Sequence, residues 1–372
     1  LRLLENGAAA FPEIINCIRD AKKTVDVNMF IWRNDDIGNL LVRELLAAAR
    51  RGVKVTVSKD RYGAVLELAE EDRTSFFHRK TAPAEKIKID YLHRHYDRDR
   101  CAAPEKVIHD DGTLLKKFLA HENVRFSADY KYDHSKFYVF DDEVLILGGI
   151  NVENKECGHD YSGREYRDLM VKVTEPEITR AFLGMRKDPE KALSPWFEMN
   201  LKRPAAGKKY FGMEARYLRL IREAEKELTV IMAYFSPLPA FMEAITSAAE
   251  RGVRVRVLIP ARANFQDDLN KMTAKQLLEK SSGRIEVYAS PCMVHTKLLM
   301  TEKEITFGSS NITKKAFKQL DELNFFAENK AGEEFTEAVD AAVSRMFGES
   351  RRVSKAALVY NERTAKLESL LV

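Results

Sequence analysis

The sequence predicts an α/β protein assembled from two similar halves, each a set of layers in which helices cover a largely buried sheet. Three observations carry that expectation. Helix and strand patterns alternate along the chain. A helix–glycine–strand unit around Gly52 recurs around Gly252. Two short motifs, His134-Ser135-Lys136 and His295-Thr296-Lys297, stand late in each half in matching surroundings.

In chain order, Phe11 to Lys23 reads as a helix and Val25 to Trp32 as a strand. Ala47 to Arg51 closes an amphipathic helix, Gly52 caps it, and an alternating strand runs through Val57. The second half repeats the order: helix Tyr217 to Glu227, strand Leu228 to Phe235, helix end Ser247 to Arg251, cap Gly252, strand through Val257. Each half then has a strand expected to bear the His–Lys pair, continuing as Phe137-Tyr138-Val139-Phe140 or Leu298-Leu299-Met300. A glycine turn ending in asparagine follows, Gly148-Gly149-Ile150-Asn151 or Gly308-Ser309-Ser310-Asn311, 17 residues after the first histidine and 16 after the second. Domains of residues 1–200 and 201–372 are expected, joined near Leu201-Lys202-Arg203-Pro204-Ala205-Ala206-Gly207. Gly52 lies 82 residues before His134 but Gly252 only 43 before His295, so the first half carries an insert, placed at about 61–111 and read either as a lid or substrate loop or as a solvated surface excursion.

The composition, 45% hydrophobic and 32% charged, is that of a globular protein with an ample core. A formal charge of +4 supplies no polyanion-binding stripe. The four cysteines, Cys17, Cys101, Cys157 and Cys292, have no paired spacing, which argues against a disulfide framework or a zinc ribbon. His93, His95, His109 and Cys101 in the insert, and His159 after the first motif, lack finger spacing, so no metal is expected. The run Arg94 to Arg100 mixes signs and reads as a solvated loop. No apolar run reaches the roughly 20 residues of a membrane span, and no signal peptide is visible. Because residue 1 is Leu rather than Met, an upstream targeting or membrane segment stays open as an expectation.

Residues i and i+2 of a strand share a face. His134 would therefore project with Lys136, and His295 with Lys297. Imidazoles serve as nucleophile or proton donor near neutral pH. Lysine ammonium groups and asparagine amides stabilise developing charge on phosphoryl oxygens. If the halves are related by a pseudo-twofold axis, the two pairs would meet on one phosphate, with no cofactor required. A histidine that attacks needs its other nitrogen held. Asp168 and Glu322, each opening an apolar run downstream, are the candidates, with a plain structural ion pair as the competing reading. Ser309 and Ser310 either bind phosphate oxygens or shape the turn, and Ser310 joins Asn151 and Asn311 in the candidate phosphate-binding set.

These residues resemble the phospholipase D superfamily, whose signature is H-x-K-x4-D followed by a G-G/S-x-N turn, present twice. His134, Lys136, Asp141 and Asn151 match the first copy. His295, Lys297 and Asn311 match the second, with Glu302 where the family has Asp, a position more structural than catalytic. Within the superfamily the chain is most similar to bacterial cardiolipin synthases. The resemblance rests on Leu4-Glu5-Asn6-Gly7, Phe30-Ile31-Trp32, Asp35-Asp36-Ile37-Gly38 and Tyr166-Arg167-Asp168-Leu169. It implies two lobes, each a mixed β-sheet flanked by helices, sharing one active site.

It also implies a phosphatidyltransferase that acts through a phosphohistidine. One histidine, usually the N-terminal one, is the nucleophile, which assigns His134 to attack and His295 to acid/base work. A phospholipid such as phosphatidylglycerol is the implied substrate, with peripheral membrane contact and a location at the bacterial membrane or in the cytoplasm. The alternatives are a hydrolase releasing phosphatidic acid, a nuclease, and a non-catalytic binding module. Nucleic acid is disfavoured by the weak net charge, and the binding module by the intact His and Lys at all four places. Oligomeric state is not readable from the sequence.

Overall fold

A computed structural model describes residues 1–69, 75–78, 81–95, 109–127, 132–157, 166–205 and 207–371. The chain divides into two compact units, Leu1–Leu183 and Gly184–Val372. Each has its own apolar core.

The first lobe contains strands β1 (Arg2–Glu5), β2 (Thr24–Met29), β3 (Lys54–Lys59), β4 (Val124–Ser127), β5 (Phe137–Phe140), β6 (Val144–Gly148) and β7 (Leu169–Val173). They form one sheet in the order β1-β7-β6-β5-β2-β3-β4. β2 runs parallel to β3 and antiparallel to β5, so the sheet is mixed. Helices α1 (Asn6–Asp20), α2 (Asp36–Arg50), α3 (Arg61–Ala69), α4 (Pro83–His95) and α5 (Thr113–Leu119) accompany it, and α6 (Pro176–Lys187) spans the division between the units.

The second lobe begins with β8 (Phe197–Leu201) and β9 (Tyr210–Phe211), then α7 (Met213–Glu223), β10 (Glu227–Met232), α8 (Pro239–Glu250), β11 (Arg254–Pro260), α9 (Asp267–Lys280) and β12 (Glu286–Ser290). β13 (Lys297–Thr301), β14 (Glu304–Gly308), β15 (Glu322–Glu328), α10 (Glu334–Gly348), β16 (Arg351–Arg352) and α11 (Glu362–Leu371) complete it. The sheet order is β9-β8-β15-β14-β13-β10-β11-β12-β16. Its inner six strands, β15-β14-β13-β10-β11-β12, repeat the order β7-β6-β5-β2-β3-β4 of the first lobe. The duplicated mixed-sheet fold expected from the sequence is therefore present. Gly52 (φ 95°) and Gly252 (φ 91°) sit in the left-handed region after α2 and α8, the conformation that favours glycine at these helix ends.

Four expectations change. β8 ends at Leu201 and β9 starts at Tyr210, and the two pair antiparallel there, so the expected link falls between two strands of the second lobe, while the units divide at Leu183/Gly184. Helix α1 starts at Asn6, not Phe11. The Asn6 N–H donates to the Asp168 carbonyl (2.8 Å), and Asn6 Oδ1 accepts the Asp168 N–H (3.0 Å), a tertiary anchor with no local sequence signal. The described part of the insert is partly helical and partly core: Phe76 is buried, and Phe77 lies 5.3 Å from the Trp32 ring and 4.8 Å from that of Phe126. Cys101, His159 and most of the run Arg94 to Arg100 lie outside the described residues, whereas Nδ1 of His93 and of His109 meets the carbonyl of Ala69 and Asn34, respectively. The fourth change concerns the His–Lys motifs. Among the described residues, no helix is long and apolar enough to cross a membrane.

Candidate active site

Both histidines precede their strands; Lys136 also lies just before β5, whereas Lys297 is the first residue of β13. β5 starts at Phe137, after Lys136, and β13 starts at Lys297, after His295. Lys136 Nζ donates to the His134 carbonyl (2.6 Å), and Lys297 Nζ donates to the His295 carbonyl. Each lysine thus folds back onto the backbone of its own histidine, with the ammonium held under the imidazole-bearing residue. Both lysines have no exposed surface. In the first lobe the Phe30 ring joins the pair, 4.6 Å from the His134 ring at near-perpendicular tilt and 5.2 Å from the Lys136 ammonium. His134 and Lys136 therefore do project together.

The asparagines sit in equivalent positions. Asn151 Oδ1 accepts the Ile31 N–H (3.3 Å), and Asn311 Oδ1 accepts the Tyr234 N–H (3.2 Å). A backbone donor on the oxygen fixes which end of the amide is the acceptor and which is the NH2 donor.

Asp141 and Glu302 tie down the turn that leads into the central strand of each lobe. Asp141 accepts the N–H groups of Lys22, Lys23 and Thr24 at 2.7–2.8 Å. Glu302 accepts those of Glu225, Lys226 and Glu227 at 3.0–3.2 Å. Burial pushes both carboxyls up, but these backbone donors outweigh it and hold them below the ordinary carboxylate range. The departure from Asp is geometric. The β5–β6 connection, residues 141–143, has Asp141 and Asp142 at positive φ (53° and 59°), whereas β13–β14 is joined through residues 302–303 only. The shorter turn carries the longer side chain, and its missing residue accounts for the His–Asn spacing of 16 against 17.

Asp168 and Glu322 are both buried at the head of the strand that follows the glycine turn. Asp168 accepts the Leu169 N–H (2.8 Å). A Cβ on Gly149 would fall 2.4 Å from the Asp168 oxygens, so a side chain there would displace the carboxylate. In the second lobe Ser309 replaces that glycine, and its hydroxyl donates to Glu322. Ser310 is fully buried, with its N–H on Asn324 Oδ1 (3.0 Å) and its hydroxyl near the Asn311 carbonyl. Both serines thus make turn contacts.

Several supporting residues escape the sequence reading. Asn28 Nδ2 donates to the Ser135 carbonyl (2.9 Å) and Oγ (3.1 Å). Asp60 accepts the Asp133 N–H (2.9 Å), and Asp133 accepts the N–H and hydroxyl of Ser135, so the backbone on either side of His134 is clamped. Burial pushes the Asp60 carboxyl up to about 6, against the pull of the Asp133 N–H and Lys59. Behind it, Lys59 Nζ pairs with Glu67 (2.9 Å), both without exposed surface, and Glu67 accepts the Trp32 N–H (2.8 Å). The visible signal was a polar Asn28 in an otherwise apolar strand end. In the second lobe Asn270 Oδ1 accepts the Phe235 N–H (2.8 Å), and the Tyr234 ring stands 6.3 Å from that of His295.

The comparisons with known proteins agree with this repeated geometry. A family model described as "Cardiolipin synthase, PLD-like domain" matches residues 14–184 and 217–347. The chain is similar to cardiolipin synthase B of Escherichia coli K12, 26% identical over 332 residues that cover 84% of this chain and 72% of the relative. It is 24% identical to cardiolipin synthase A of Pseudomonas fluorescens over 372 residues, 95% of this chain and 70% of that one. Among solved structures, phosphatidylserine synthase of Haemophilus influenzae Rd KW20 superposes with a TM-score of 0.71 at 14% identity, covering 99% of this chain and 91% of its own. That last likeness concerns the fold.

Proposed function

From the premise that the chain belongs to the cardiolipin synthase family of phospholipase D-like enzymes, we propose that it is a phosphatidyltransferase working through a covalent phosphohistidine. In this reading the two half-sites act on one phosphodiester. His134 attacks phosphorus through an imidazole nitrogen while His295 gives a proton to the departing alcohol oxygen. The incoming alcohol then gives its proton to His295 and attacks the phosphohistidine, which frees His134 and forms the new diester. Lys136, Lys297 and the amide NH2 groups of Asn151 and Asn311 stabilise the phosphoryl oxygens. Asp168 and Glu322 orient the imidazoles, and Ser310 supports the turn beneath Asn311. Water in place of the alcohol would give phosphatidic acid.

The observation that carries the reading is that both lobes keep the same pair of contacts, lysine to its histidine's carbonyl and asparagine oxygen to a strand-end N–H. A degenerate lobe would have no reason to retain them. Phosphatidylglycerol is the proposed donor and acceptor. The test is incubation of the protein with phosphatidylglycerol vesicles and, separately, single-stranded DNA. Diphosphatidylglycerol plus glycerol is the expected product; phosphatidic acid plus glycerol alone would make it a hydrolase, and cut DNA beside untouched lipid would sink the reading.

A further inference from the structure

The outward face of the C-terminal helix combines features that the core of the lobe does not use. α11 turns Ala365 inward, and its Glu368 accepts the Leu269 N–H (2.8 Å) in the first turn of α9. The Asn361 N–H ahead of it donates to Asp268 Oδ1 (2.9 Å). α11 is thereby fastened across the start of α9. That start follows Asn264, whose Oδ1 accepts the Tyr234 hydroxyl (2.8 Å), and the Tyr234 ring stands against His295. β16 approaches the same end: Arg351 pairs with Ala289 near the close of β12, the strand that leads toward His295. Both elements therefore lie at the His295 end of the second lobe.

What they expose is basic and apolar together. On α11, Leu370 is 81% exposed and Leu367, one turn before it, is also exposed; Val359, ahead of the helix, is 76% exposed. On α11, Arg363 is four residues before Leu367 and Lys366 four before Leu370, so each apolar tip has a cationic neighbour on the same face. From Arg351 to Leu370 there are five basic and two acidic side chains; Arg352 pairs with Glu286 (3.3 Å), and Glu368 accepts the Leu269 N–H. Leucines flanked by cations are costly to leave in water but suit the boundary between anionic headgroups and acyl chains.

We propose that this face, Arg363, Lys366, Leu367 and Leu370, docks the second lobe onto an anionic phospholipid bilayer beside His295. The proposal rests on the phospholipid reading above but is measured independently of turnover. The experiment is co-sedimentation of the full chain with vesicles of phosphatidylglycerol and phosphatidylcholine, or of phosphatidylcholine alone, in low and high salt. Two variants are compared, Leu367→Glu/Leu370→Glu and Arg363→Glu/Lys366→Glu, with circular dichroism to verify the fold. The expected result is partition onto anionic vesicles that salt weakens and that each double variant lowers at least about tenfold, since one basic side chain near the surface is worth about 1 kcal/mol, a factor of roughly five. Unchanged partition in folded variants, or equal binding to phosphatidylcholine alone, would overturn it. A chain that docks in this way yet leaves phosphatidylglycerol intact would instead refute the catalytic reading and keep the docking face.

Discussion

The two lobes hold the same pair of catalytic candidates on differently constructed supports. Beneath the first motif the support is ionic: Glu67 accepts the Trp32 N–H and must be neutralised by Lys59, while Asp60 clamps Asp133 beside His134. At the corresponding places the second lobe is neutral. Asn270 accepts the Phe235 N–H, and Ile259, seven residues after its glycine as Lys59 is after Gly52, is apolar. The buried carboxylates after the glycine turns differ too, with space left by Gly149 around Asp168 and a serine hydroxyl placed on Glu322. What both lobes keep is the set of backbone groups that must be satisfied; which side chain satisfies them was free to change.

If that reading is right, the motif residues should behave alike and the supports unlike. The largest effects concern the shared part. Lys136→Met and Lys297→Met should each lower kcat by about 10² to 10³ with little change in KM, the loss typical of removing one donor to a developing oxyanion. A loss confined to one lobe would break the symmetry. Next come the supports. Glu67→Ala, which strands a buried lysine, should cost about 3–5 kcal/mol in denaturant unfolding, whereas Asn270→Ala should cost about 1–3. The double change Lys59→Ile/Glu67→Asn copies the neutral solution and should restore most of the stability.

Smaller effects are expected at the turn carboxylates. Asp141→Glu and Glu302→Asp mismatch side-chain length to turn length, and each should cost about 1–2 kcal/mol by weakening some of its three backbone hydrogen bonds. Asp60→Asn should show its effect in pH dependence. The folded Asp60 carboxyl, at about 6, lies above the roughly 3.9 of an unfolded chain. Its contribution to stability is full below about pH 4 and lost as pH rises through 6. The unfolding temperature of the wild type, minus that of Asp60→Asn, should therefore fall between pH 4 and 7, and a flat difference would deny Asp60 its raised titration.

The repeated order of elements was legible because glycine caps and apolar periodicity are local signals, as at Gly52 and Gly252. His134, Lys136, His295, Lys297 and both asparagines were legible because the chain states them twice. The start of α1 was not, since Asn6 is held by Asp168 from 162 residues away. Nor was the retreat of the histidines from the strands, because a lysine that bonds its own motif's carbonyl leaves no periodic trace. The Lys59–Glu67 pair lies where charge and helix pattern alone suggest solvent. Burial of such a pair is decided by what surrounds it.

The central claim, that two unlike supports present one nucleophile and one acid/base, is tested most directly by trapping the phosphoenzyme. His134→Ala and His295→Ala are each mixed with phosphatidylglycerol labelled in its phosphate, then quenched and examined for acid-labile label on the protein. The expected result is no steady turnover in either variant, with label trapped in His295→Ala and none in His134→Ala. Label in both, or substantial turnover in either, would contradict it.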